Sequence, residues 1–111
     1  MNKPIIVCLC GSTRFGDQFA SSQLEETLAG KIVLSIGCNM KSDHDIFGHL
    51  SLSEIRLIKE RLDVLHFAKI DLADEILVLN VGGYIGESTE REIEYAAMRG
   101  KRIRYFQNER K

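Results

Sequence analysis

Ile76-Leu77-Val78-Leu79-Asn80-Val81-Gly82-Gly83-Tyr84-Ile85-Gly86-Glu87-Ser88-Thr89-Glu90-Arg91-Glu92 reads as a strand, a glycine-rich turn and the opening of a helix. Ile76 to Leu79 is an unbroken apolar run, the pattern of a strand covered on both faces. Gly82, Gly83 and Gly86 let the backbone turn sharply and approach a ligand without a Cβ in the way. Ser88 and Thr89 stand where the helix starts, so hydroxyls and unpaired backbone N–H groups share one small volume. That volume suits a phosphate or a sugar. Glu92, one turn further in, offers a carboxylate to the same space.

The segments on either side repeat the pattern. Ile5 to Cys10 is a second continuous apolar run, broken by Gly11-Ser12-Thr13-Arg14. A helix is expected next, with Phe15, Phe19, Leu24 and Leu28 on or near one face and its end near Gly30. Lys31 to Ile36 reads as a strand stopped by Gly37, and Cys38 to Leu50 as a polar, irregular lid. Ser51-Leu52-Ser53-Glu54 is a capping box opening a helix of about five turns. Ile55, Ile58, Leu62, Leu65 and Phe67 or Ala68 are expected to face inward. After the glycine turn, the last helix places Ile93, Ala96, Ala97 and Gly100 at packing positions. Lys101 to Phe106 is the fourth strand.

Strands alternating with helices imply right-handed crossovers and a parallel sheet. The expected fold is therefore a single α/β domain over residues 1–111, a flavodoxin-like or Rossmann-like three-layer sandwich of about four strands. With the first and third strands as neighbours the order is 2-1-3-4. Its switch point then falls between their carboxyl ends, where open α/β sheets bind ligands. Gly11-Ser12-Thr13-Arg14 and the Gly82 turn, chosen independently, meet across that crevice.

Composition narrows the function. The 111 residues carry 15 Lys+Arg against 16 Asp+Glu, so no basic face invites a nucleic-acid polymer. No apolar run reaches membrane-spanning length and no signal-peptide pattern follows Met1, which predicts a cytoplasmic protein without membrane contact. Cys8, Cys10 and Cys38 form no paired framework. Cys8 and Cys10 alternate along one strand face and read as buried reduced thiols in preference to redox or metal ligands. His44 and His49 with Asp43 and Asp45 fit no compact zinc spacing and read as solvated loop.

Each candidate residue carries two readings. Thr89-Glu90-Arg91-Glu92 is itself a capping box, in which Glu92 only bonds back to the Thr89 N–H. Alternatively Glu92, ionised under the helix dipole, attacks a sugar carbon or stabilises an oxocarbenium ion. Arg14 forks onto a phosphate or carboxylate beside Ser12 and Thr13, or it is a solvated first-turn residue. Tyr84 stacks on a base or lies under a sugar, or it shields the turn or meets a second subunit. Asp71 and Asp74 punctuate the entry to the third strand, or Asp71 takes part in the chemistry.

Gly11-Ser12-Thr13-Arg14, Ala73-Asp74-Glu75-Ile76, Gly82-Gly83 to Ser88-Thr89, and Glu92-Ile93-Glu94-Tyr95-Ala96 resemble the nucleoside 2-deoxyribosyltransferase-like family, which includes the 2'-deoxynucleoside 5'-phosphate N-hydrolases. The resemblance covers nearly the whole chain through short motifs. It implies a flavodoxin-like sandwich assembled as a homodimer or higher oligomer, acting on a nucleoside or nucleotide without metal or cofactor. Glu92 then attacks the anomeric carbon of deoxyribose, while Ser12 and Arg14 contact substrate and, in the nucleotide hydrolases, its 5'-phosphate. The family's Asp about eight residues before the Ala-Asp of the third strand is replaced here by His66. Asp71 or His66 takes its place, or the substrate differs. The partner-subunit serine of the nucleotide hydrolases has no counterpart in Gln107 to Lys111, which leaves the phosphate requirement open. A non-catalytic nucleotide sensor is the alternative. The cytokinin-activating phosphoribohydrolases, with a similar Gly-Gly-x-Gly-Thr-x-x-Glu loop, illustrate how such loops serve different ends.

Overall fold

The computed structural model describes residues 3–36 and 48–107. Its elements run β1 (Ile6–Cys10), a 3-10 turn (Thr13–Phe15), α1 (Gly16–Leu28), β2 (Ile32–Leu34) and α2 (Leu52–Leu72). Then come β3 (Glu75–Val78), a second 3-10 turn (Val81–Gly83), α3 (Glu87–Met98) and β4 (Arg102–Tyr105). All strand pairs are parallel and the order is β2-β1-β3-β4, as the sequence implied. Cys10 lies opposite Val78, so β1 and β3 finish level and send their next loops to the same edge.

The alternation of side chains along the central strands builds two cores. Val7, Leu9, Leu77 and Leu79 pack with Phe19 of α1. Cys8, Cys10, Ile76 and Val78 pack with Ile70 of α2 and Ala96 of α3. Both central strands are covered on both sides, which is why their sequences are unbroken apolar runs. Complete burial of a side chain such as Leu9 or Ile70 contributes about 2 kcal/mol each.

Helix faces depart from the expectation. Phe19 is buried, whereas Leu24 and Leu28 are 59% and 77% exposed. At about 100° per residue they lie some 140° and 180° around α1 from Phe19. The inward face is Phe19, Ser22 and Glu26 instead. In α2 the buried residues are His66 and Ile70, with Phe67 packed against their cluster, while Leu62, Leu65 and Ala68 are exposed. Ala97 of α3 is also exposed, leaving Ala96 as the small residue against the sheet. Strands β1, β2 and β4 are one, three and two residues shorter than expected, while β3 keeps its length and begins one residue earlier. Cys38, Asp43, His44 and Asp45, and with them most of the expected lid, lie outside the described residues.

Ser51 opens α2 as expected. Its Oγ accepts from the Glu54 N–H at 3.2 Å, and the Glu54 carboxylate accepts from the Ser51 N–H at 2.8 Å. Ser51→Ala removes one of these reciprocal bonds and is expected to cost about 1 kcal/mol. A urea melt would read this as a lower midpoint at unchanged slope; an unmoved midpoint would show that the cap contributes nothing to global stability.

Acidic and basic residues clamp the other end of the sheet. Asp74 accepts from the Ile6 N–H at 2.9 Å and its own N–H donates to the Ile6 carbonyl at 2.8 Å, which pins β1 to the start of β3. Glu75, inside β3 and buried, joins Glu26, Lys31 and Arg104 in an ion network across the α1 face. Among the described residues no helix is long and apolar enough to cross a membrane.

Candidate functional site

A cavity of about 420 Å³ opens at the carboxyl edge, between the loops after β1 and β3. One wall is Gly11-Ser12-Thr13, the opposite wall is Gly86 to Thr89, and Asp63 and His66 of α2 close the side. Glu92 lines the floor. The two segments singled out from the sequence therefore do converge at the switch point, in a space of the size that holds a small ligand.

Backbone geometry explains the walls. A Cβ at Gly11 would come within 3.0 Å of the Leu79 Cβ and 3.3 Å of its carbonyl, so the two loops can approach this closely only with glycine there. Gly82 and Gly83 adopt φ of 65° and 84°, the left-handed region that glycine enters without penalty. They do not line the cavity, and nothing stands near where their Cβ atoms would be. Their function is to turn the chain rather than to admit a ligand. Asn80 anchors that turn by exchanging hydrogen bonds with the backbone of Gln107, at 2.9 and 3.2 Å.

Ser12 lines the cavity while its Oγ accepts from the Arg14 N–H. Arg14 does not line it. Its guanidinium lies over the Tyr84 ring, 4.2 Å from the centroid, and Nη2 donates to the Tyr84 hydroxyl at 3.5 Å. Phe15 meets the same ring edge-on at 6.0 Å. Tyr84, itself a lining residue, is thus held by contacts with a cation and an aromatic ring.

The start of α3 corrects the second capping box. The helix begins at Glu87 with Gly86 as its N-cap, so Thr89 is already the third helical residue and is buried. Thr89 is no cap, and Glu92 sits in the second turn, beyond reach of a cap N–H. The innocent explanation for Glu92 is therefore removed. Glu87, Ser88 and Thr89 instead contribute first-turn N–H groups, which have no partner within the helix, to the cavity wall. Ser88 Oγ accepts from Arg91 at 3.5 Å.

Glu92 faces a polar cluster. Its Oε1 is 3.7 Å from His66 Nε2, and both side chains are largely buried. Burial raises the Glu92 pKa, against the opposing pull of the nearby His66. The expected ease of ionisation near the helix start is thus outweighed by desolvation. For His66, burial disfavours the cation, but the adjoining Cys8 and the Glu92 carboxylate prevail and its pKa rises.

Asp71 belongs elsewhere. It lies in the last turn of α2, near the start of β3, at the opposite edge of the sheet from the cavity. It accepts from the Tyr95 hydroxyl at 2.8 Å and pairs with Arg99 at 3.5 Å. It cannot touch a ligand of Glu92 from there. The α2 carboxylate that does line the cavity, beside Glu87 and Glu92 of α3, is Asp63, one turn before His66 on the same helix face. The i, i+3 relation to His66 is the signal that finds it. Comparison of the chain with protein-family models, curated proteins and solved structures returns no match.

Proposed function

We propose that this cavity binds a nucleoside or nucleotide and that Glu92 cleaves its N-glycosidic bond. The observation that carries the reading is the place of Glu92: a largely buried carboxyl on the cavity floor with no capping role. In the proposed reaction Glu92 forms a bond to the anomeric carbon as the bond to the base nitrogen breaks, its electron pair leaving with the base. Water then adds to the anomeric carbon, freeing Glu92 and giving the sugar, while its proton balances the departed base. A second base in place of water makes the protein a transferase. In this reading Asp63 hydrogen bonds the sugar hydroxyls, Tyr84 lies against the base or sugar, and the N–H groups at the α3 N-terminus donate to a 5'-phosphate. The resemblance to the nucleoside 2-deoxyribosyltransferase-like family supports the same assignment of Glu92.

One observation favours a binding-only sensor: desolvation shifts Glu92 toward its neutral form, a poor nucleophile. Incubation with a panel of nucleosides and 5'-nucleotides, followed by chromatography for free base, separates the two. Catalysis predicts release of base from a subset of the panel. Thermal stabilisation by a panel member with no base released would replace the enzyme with the sensor.

A further inference from the structure

Beneath the cavity floor lies a buried polar cluster that the glycosidic reading does not use. Cys8 and Cys10 are fully buried free thiols on the α2 side of β1. Both sulfurs approach a single atom, His66 Nε2: Cys10 Sγ at 3.4 Å and Cys8 Sγ at 3.7 Å. Glu92 Oε1 approaches the same nitrogen at 3.7 Å from the cavity side. A ring nitrogen holds either one proton or one lone pair and makes one hydrogen bond. Three polar partners around it are more than it can satisfy.

The spacing has another meaning. The three candidate ligand atoms of Cys8, Cys10 and His66 all lie within 4.8 Å of one another. Around a tetrahedral zinc ion, with Zn–S about 2.3 Å and Zn–N about 2.0–2.1 Å, sulfur and nitrogen ligands stand about 3.6 Å apart. The two observed sulfur–nitrogen separations fall on either side of that distance. We infer that Cys8, Cys10 and His66 form a binding site for a thiophilic divalent cation, zinc foremost, with its fourth coordination position toward Glu92 and the cavity.

The elements explain why the set is preorganised. Alternation along β1 sends both cysteines to one face, and the inward turn of α2 drops His66 onto them. Two thiolates and an imidazole are a donor set that selects zinc over magnesium or calcium. Binding of the cation would displace the thiol protons, since the thiolate is the ligand. Entry is through the cavity, past His66 and Glu92, which line it.

This inference does not depend on the glycosidic reading, because its readout is spectroscopic. The reduced full chain, stripped with chelator, is titrated anaerobically with Co²⁺ and then with Zn²⁺. One equivalent of Co²⁺ is expected to give tetrahedral visible bands and thiolate-to-metal charge transfer, which Zn²⁺ bleaches. Cys8→Ala and Cys10→Ala, with folding checked by circular dichroism, should each weaken binding by at least about 100-fold, the most that losing a mere supporting group costs. His66→Gln should do the same while keeping both thiols. Cys38→Ser, altered outside the described residues, should bind as the parent chain does. Zn²⁺ should also raise the melting temperature of the parent chain, saturating at one equivalent. Absence of thiolate charge transfer in the parent chain, or its loss in Cys38→Ser, would overturn the site. Should an alanine variant fail to fold, His66→Gln and the parent-chain titration decide the question alone.

Discussion

Glu92→Gln is expected to lower base release by at least about 10⁴-fold while leaving the fold intact, the scale seen when an enzyme loses its nucleophile. The amide keeps the shape of the side chain and its packing beside His66. It loses the oxygen nucleophile and cannot form the glycosyl ester. Stability is expected to hold or rise, because Glu92 is desolvated on the cavity floor and the amide removes a charge that burial penalises. The pairing of lost turnover with retained melting temperature separates a chemical role from a structural one. Asp63→Asn, which alters only the proposed sugar contact of a cavity-lining residue, should act mainly through KM and leave turnover within about 10²-fold. Chromatographic rates across both variants check this. Base release from Glu92→Gln at the parent rate would end the assignment.

Arg104→Met is expected to destabilise the fold by about 2–3 kcal/mol, near the lower end of the range for breaking a buried ion pair. Arg104 Nη1 donates to Glu26 at 2.8 Å and to Glu75 at 2.9 Å, and Nη2 adds a bond to Glu26 at 3.1 Å. Removing it strands two buried carboxylates. Lys31, at 3.1 Å from Glu26 and 2.9 Å from Glu75, keeps the loss from being larger. Methionine fills most of the vacated volume, so the loss reports charge rather than a cavity. For a domain of this size the melting temperature should fall by roughly 10 °C.

The same network sets an acid limit. The Arg104 hydrogen bond lowers the Glu26 pKa despite burial, and Lys31 assists. A carboxyl lowered on folding stabilises fully above its unfolded value of about 4.3 and loses that contribution as pH falls through the folded value. The parent chain should therefore lose stability steeply below about pH 4.3, and Arg104→Met should show a shallower slope there. Denaturant melts at neutral and acid pH test both statements. Equal midpoints for parent and variant at neutral pH would show that the network contributes nothing net.

Sheet order, strand count and the meeting of the Gly11 and Gly82 loops were legible because they follow from local signals. Unbroken apolar runs mark covered strands, glycines mark turns, and Ser51 with Glu54 marks a helix start. Helix faces were less legible. Leu24 and Leu65 look like core residues by type, but rotation about the helix axis places them outside, and Glu26 and His66 are drawn in. Those polar residues enter the interior because Arg104 and the two cysteines, remote in sequence, wait there with opposite charge or polar atoms.

The candidate site divides the same way. From its own residues the chain determined that Ser12, Gly86, Ser88, Thr89 and Glu92 would share one crevice, since each follows directly from a strand end or helix start. Only the tertiary structure decided that α3 begins at Glu87, which strips Glu92 of its capping role. It also put Asp71 at the far edge and Asp63 at the cavity, turned Arg14 onto Tyr84, and set the ligand atoms of Cys8, Cys10 and His66 within 4.8 Å of one another. The physical reason is common to all of these. A strand or a helix start is set by neighbours along the chain, whereas the direction of a side chain is set by what packs against it.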